Sequence, residues 1–169
     1  MPISPELLAQ CRKHGYDRLE IARKSKSPEE WNQLWTPPKH PFSFQWTDWW
    51  KMTVEYKVDD FPAEVGFYID ILGCPINALD HAYAMFTGPN EDFHISVVPT
   101  PTGERPTAPD AFKIEFMVKN IQEYAEELEN RGVTFKQKVQ RYGQEGSKFK
   151  NGWFRTPHGI VIMLWGVDE

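Results

Sequence analysis

Cysteine is scarce, with Cys11 and Cys74 the only two. They make neither a disulfide framework nor a thiolate zinc cluster, and each reads as a small buried apolar side chain. Long apolar runs are missing as well. The best is "GIVIMLW" at 159–165, far too short to span a bilayer. No apolar run like a signal peptide opens the chain, so a soluble cytoplasmic protein is expected, without a membrane partner. Positive charge is not in excess. A net charge of −5 argues against nucleic acid as the main partner, since phosphate binding needs a basic surface. A phosphate-cradling glycine loop, a nucleophile elbow and a serine triad signature are all absent.

What the chain does have is aromatic mass. Seven Trp and eleven Phe within a 40% apolar composition are enough for a core. A length of 169 residues suggests one domain, or two small ones sharing a core.

Residues 1–50 read as a helical, Trp-rich arm. In "SPELLAQCRKHG", Ser4 is placed to cap a short helix, Pro5 sits in its first turn, and Gly15 is expected to stop it. His14 then falls near a helix C-terminus, where a cation is favoured. The basic residues Arg12, Lys13, Arg18, Arg23, Lys24 and Lys26 read as a solvated face. "SPEEWNQLW" predicts a second helix, with Ser27 as cap and Glu30 at the capping-box position. Trp31, Trp35, Trp46, Trp49 and Trp50 are expected to dock the arm onto the main domain, with a ligand-lining role as the alternative.

From residue 51 the chain repeats itself. "KMTVEYKV" at 51–58 alternates as a strand, and "DDFPAEVGFYIDILG" follows as a helix stopped by Gly73. Short strands are expected at 76–79, 83–87 and 92–98. A Pro/Thr-rich linker fills 99–110. A second strand, 112–118, then precedes a helix capped by Asn120 and ended by Gly132, with further strands at 134–139, 148–154 and 160–165. Val54/Ile114, Glu55/Glu115, Tyr56/Phe116, Val58/Val118 and Asp60/Asn120 all match at an offset of 60. The expected organisation is an arm (1–50), a βαβββ module (51–98), the linker (99–110) and a second βαβββ module (111–169), in the α+β class.

A tandem of βαβββ units resembles the vicinal oxygen chelate superfamily, which includes glyoxalase I, bleomycin-resistance proteins and extradiol dioxygenases. The likeness is carried by "VDDFPAEVGFYIDILGC", "VKNIQEYAEELENRGV" and "FRTPHGIVIMLW". It implies two curved half-barrels with helices outside and a concave pocket, typically in a homodimer. It also implies a divalent metal held by His, Glu or Gln from first and last strands. The matching positions here are Thr53, Lys113 and Met163, with Ser96 as the fourth within a register of about two residues. Hydroxyls, a thioether and an ammonium are not the donors of a Mn, Fe, Ni or Zn site, so no cofactor is expected.

Alternation places Thr53, Glu55 and Lys57 on the concave face, with His94, Ser96 and Val98. From the second module come Lys113, Glu115, Met117, Val161, Met163 and Trp165. The expected ligand-binding set is Thr53, Glu55, Lys57, His94, Ser96, Lys113, Glu115, Met117, Met163 and Trp165. The bland reading pairs Lys57 and Lys113 with Glu55 and Glu115 across the repeat axis. A sharper one makes Glu55, His94 and Glu115 a displaced metal site. A third uses Glu55 or Glu115 as general base, with His94 nearby and Lys113 as electrophile. His40, His81 and His158 are expected in loops or turns. The first-ranked function is metal-free binding of a small organic molecule, cationic in view of the acidic charge. The alternatives are an atypical lyase, isomerase or dioxygenase, and a regulatory module whose arm contacts a partner. The residues leave open whether the pocket forms within one chain or across two.

Overall fold

A computed structural model describes residues 3–27, 29–30 and 40–167. The chain divides into two units, Met1–Gln45 and Trp46–Glu169.

In the first unit, helix α1 spans Pro5–Lys24. Ser4 Oγ accepts the N–H of Leu7 at 3.1 Å, and the N–H of Ser25 closes the far end on Ile21 O. Gly15 does not stop this helix. Its φ is not positive, a Cβ there would meet nothing within 4 Å, and the chain runs on to Lys24. A helical glycine costs about 1 kcal/mol, which side-chain pairs along the continuing turns offset. Lys13–Asp17 (2.8 Å), Glu20–Arg23 (2.8 Å) and Glu20–Lys24 (3.4 Å) supply such pairs. His14 is therefore mid-helix, and Cys11 is exposed rather than buried. α1 buries no residue, in keeping with a solvated face. Residues 29–30 are helical, and Ser27 Oγ accepts the Glu30 N–H (3.2 Å). Glu30 reaches back to the N–H of Lys26 (2.6 Å), one residue earlier than the usual box. Trp31 and Trp35 lie outside the described residues.

The second unit holds two four-stranded mixed sheets. β1 (Val54–Val58), α2 (Phe61–Gly66), β2 (Ile76–Asp80), β3 (Tyr83–Thr87) and β4 (His94–Pro99) form the first module. β5 (Lys113–Met117), α3 (Ile121–Asn130), β6 (Gln137–Arg141), β7 (Phe149–Arg155) and β8 (Val161–Val167) form the second. The strand orders β1-β4-β3-β2 and β5-β8-β7-β6 are the same topology twice, each with its first strand parallel to its last. Among the described residues neither sheet closes into a barrel.

The helices depart from symmetry. Asp60 Oδ1 caps α2 by accepting the Ala63 N–H at 3.1 Å, whereas its counterpart Asn120 sits at φ 48 and makes no side-chain cap. The first helix widens into a π turn over Phe67–Ile71, where Tyr68 stacks on Phe86 at 4.9 Å. α3 lies close to β8: a Cβ on Gly166 would meet Ile121 Cβ at 2.7 Å. Two apolar clusters result, and Leu72, Ile114 and Phe116 touch both. Ile160, from the second module, belongs to the cluster of the first.

Glu64 is fully buried beneath this core. Its Oε1 accepts the Tyr56 hydroxyl at 2.5 Å and its Oε2 accepts the His158 N–H at 2.8 Å. The Tyr68 hydroxyl lies 2.9 Å from that of Tyr56. The turn role expected for His158 is thus a bond between modules. Its Nε2 also lies 2.7 Å from Thr107 O, so the ring holds the linker too. Gly159, at φ 106, allows the turn to close.

Tyr56→Phe removes a donor from a buried carboxylate, and we expect it to lower unfolding free energy by about 1–3 kcal/mol in urea titrations. Burial raises the pKa of both Tyr56 and Tyr68 well above the usual phenol range. The folded state keeps both protons where the unfolded chain loses them. Their contribution is therefore complete below about pH 10 and falls away above it. The slope of stability against pH in that alkaline range should flatten in Tyr56→Phe.

Candidate functional site

Each sheet has one face packed on its helix and one free of it. Tyr56, Val58, Ile95, Val97 and Phe86 point into the first core, so Glu55, Lys57, His94, Ser96 and Val98 take the other face. Ile162 and Leu164 point into the second core, which turns Lys113, Glu115, Met117, Val161, Met163 and Trp165 the other way. Strand register sets Glu55 beside Ser96, Lys57 beside Val98, Lys113 beside Val161, Glu115 beside Met163 and Met117 beside Trp165. The two free faces differ in exposure. Ser96 is wholly buried, its Oγ 2.9 Å from Tyr83 Oη, and His94 is buried with Trp50 at 6.4 Å. Met117 remains 67% exposed.

The charges do not pair across the repeat axis. Lys113 binds Glu115 on its own strand at 2.7 Å, and Lys57 binds Glu104 of the linker at 2.5 Å. β1 and β5 are edge strands of separate sheets, so the nearer acid wins in each case. Glu55 is exposed and has no ion-pair partner among the described residues. Glu115 also accepts the Trp165 indole N–H at 3.3 Å. The Lys113 ammonium, with that indole, holds its carboxyl below the usual glutamate range. Water screens this exposed pair, so its worth to stability is small.

One cavity gathers part of the predicted set. It has a volume of 420 Å³ and lies between the first strands of the two modules. His94, Lys113 and Glu115 line it; Thr53, Glu55, Lys57, Ser96, Met117, Met163 and Trp165 do not. Its walls are Met52, Val54, Phe93, Phe112, Ile114 and Phe116, with Phe93 and Phe116 in contact at 5.2 Å. Lys51, Glu91 and Asp92 add charge. Sequence alternation missed these walls because the cavity is built from strand beginnings and both face parities, where no period runs. Glu91 lies between the strands expected at 83–87 and 92–98, where no pattern singles it out. It takes φ 57, a left-handed backbone that glycine adopts freely and glutamate does not.

A family model described as the Glyoxalase/Bleomycin resistance protein/Dioxygenase superfamily matches residues 53–164. The chain belongs to that superfamily. A glyoxalase/bleomycin resistance protein/dioxygenase from Nocardioides is 20% identical, with TM-score 0.56 over 76% of this chain and 87% of that one. TnmS3, an antibiotic binding protein from Streptomyces sp. CB03234, is 15% identical, with TM-score 0.57 over 75% of this chain and all (100%) of that one. Virulence protein STM3117 from Salmonella typhimurium is 16% identical, with TM-score 0.56 over 75% and 100%. At these identities the likeness is one of fold. No curated protein matches.

The superfamily's metal centre does not fit the residues at its positions. Ser96 is engaged with Tyr83, Lys113 is an ammonium paired with Glu115, Met163 offers a thioether, and Thr53 a buried hydroxyl without a partner among the described residues. Among the described residues no three His, Cys, Asp or Glu side chains are grouped as a metal site. The displaced set of Glu55, His94 and Glu115 is thus not assembled within one chain: only the last two share the cavity. No helix among the described residues is long and apolar enough to cross a membrane.

Lys113→Met should let the Glu115 carboxyl rise back toward the ordinary value, read as a carboxyl-carbon NMR titration. Trp165→Phe should move it the same way by less, since the ammonium is the larger cause.

Proposed function

We propose that this protein binds a small organic cation in the 420 Å³ cavity between β1 and β5, without the superfamily's divalent metal centre. The observation that carries this reading is the cavity itself: three phenylalanines facing His94, Lys113 and Glu115. Rings give an apolar, quadrupolar wall suited to a flat or cationic group. Lys113 is already matched by Glu115, so Glu91 and Asp92 are the carboxylates available to a positive ligand. Glu91 strengthens the point, because a strained backbone held at a cavity suggests a use for that side chain. At Glu115 binding is favoured over general-base chemistry, since a carboxyl with a lowered pKa is a weak base at neutral pH. The name of the TnmS3 neighbour, an antibiotic binding protein, agrees in kind.

The working form is a homodimer. The free face of the second sheet leaves Met117 open, and β5 is an edge strand that a second copy would cover, whereas the linker already holds the outer edge of β1 at Lys57. Light scattering should give twice the 19.7 kDa chain mass.

A thermal-shift panel of small aromatic cations, anions and neutral analogues tests the ligand class. Cations should raise Tm most. Glu91→Gly should raise the Tm of the free protein by relieving the left-handed glutamate, while reducing the shift given by cations. Equal shifts from all three classes would remove the cationic reading. Stoichiometric Mn, Fe, Ni or Zn in protein purified without added metal would remove the metal-free one.

A further inference from the structure

A second cavity in the second unit shares no lining residue with the proposed cation site. It has a volume of 330 Å³ and is walled by the π turn of the first module and by the α3–β6 loop and β7 end of the second. Phe67, Ile71, Val133 and Pro157 make its apolar surface. Arg131, Lys136 and Arg155 all line it, and no carboxylate among the described residues does. Three cations face one hollow in a chain whose net charge is −5.

The cations are held in different ways. Arg131 donates to Ile71 O at 2.7 Å and pairs with Glu127. Arg155 donates to Asp110 and to Gly159 O at 2.9 and 2.7 Å, with its guanidinium 5.6 Å from the Trp153 ring. These bonds fix the two guanidinium groups at the rim and leave further N–H donors on each. Lys136 has no ion-pair partner among the described residues. The buried Thr156 hydroxyl accepts the N–H groups of Gly159 and Ile160, and its own proton meets no acceptor among the described residues.

We infer that this cavity is a binding site for a small organic anion, a carboxylate or phosphate ester carried on an apolar body. The head group meets Lys136 and the spare donors of Arg131 and Arg155, which are set in place before binding. The body lies on Phe67, Ile71, Val133 and Pro157. Both modules contribute walls, so the ligand also ties them together.

The test is an amide-NMR titration of the full chain with phenyl phosphate, benzoate and, as the uncharged control, benzyl alcohol. Both anions, or one of them, should shift the amides of Gly132, Val133, Thr134, Lys136 and Thr156 as a group, and benzyl alcohol should not. The tighter anion identifies the head group. Lys136→Met should weaken that anion by roughly tenfold, the loss expected for one charged contact. Lys136 is exposed and its variant spectrum should otherwise match the parent. Shifts centred elsewhere, equal binding of benzyl alcohol, or undiminished affinity in Lys136→Met would each overturn the assignment. Glu91→Gly should leave this titration unchanged, which separates it from the cation site.

Discussion

A carboxylate taken wholly out of water is tolerated only where donors replace the water it has lost. Glu64 finds one donor on β1, in Tyr56, and another on the turn before β8, in the His158 N–H. These come from different modules, so the bond set is satisfied only when the modules stand in one relative position. The apolar contacts of Ile114, Phe116 and Leu72 would accept small slips, but hydrogen bonds of 2.5 and 2.8 Å to one carboxylate do not. Both cavities lie between parts of the two modules and inherit their shape from that constraint.

The two halves share a topology and diverge in chemistry. At the offset of 60, Tyr56 corresponds to Phe116, Glu64 to Tyr124 and Tyr68 to Leu128. The buried carboxylate and its two phenols therefore belong to the first half, and the corresponding positions of the second are a phenylalanine, an exposed tyrosine and a leucine. The free faces differ in the same spirit, with Ser96 buried and Met117 exposed.

Much of the fold is legible in the sequence because strands and helices advertise themselves by period. The alternation around Glu55 and Glu115 gives the faces correctly, and "TPHG" marks a real turn. Gly15 misleads, since a glycine without a left-handed backbone is only a weak helix breaker and local ion pairs outweigh it. The lysine pairing misleads for a related reason. Periodicity gives the face of a residue but not the distance between edge strands, and Glu104 in the linker is nearer to Lys57 than any acid of the other module. Glu64 escapes notice because a glutamate in the first turn of a helix is ordinary in sequence. The cavity walls escape because they are assembled from strand beginnings, where no repeating pattern points.

The linker has a further implication. Thr107 receives the Lys57 N–H on its hydroxyl and gives its own N–H to Lys57 O, both at 2.9 Å, while Glu104 holds the Lys57 ammonium. On its other side, Thr107 O meets the His158 ring. A segment rich in proline and threonine is thus stitched to the first strand of one module and the last turn of the other. It is mortar rather than rope: its chemistry joins the halves even where its covalent continuity does not. Gly103, at φ 85 where an added Cβ would meet nothing within 4 Å, is a place in that seam where the chain could be opened and leave these bonds standing. Two shorter polypeptides divided there would carry, between them, the bonds of Lys57 to Thr107 and Glu104 and of Thr107 to His158 that now join the halves.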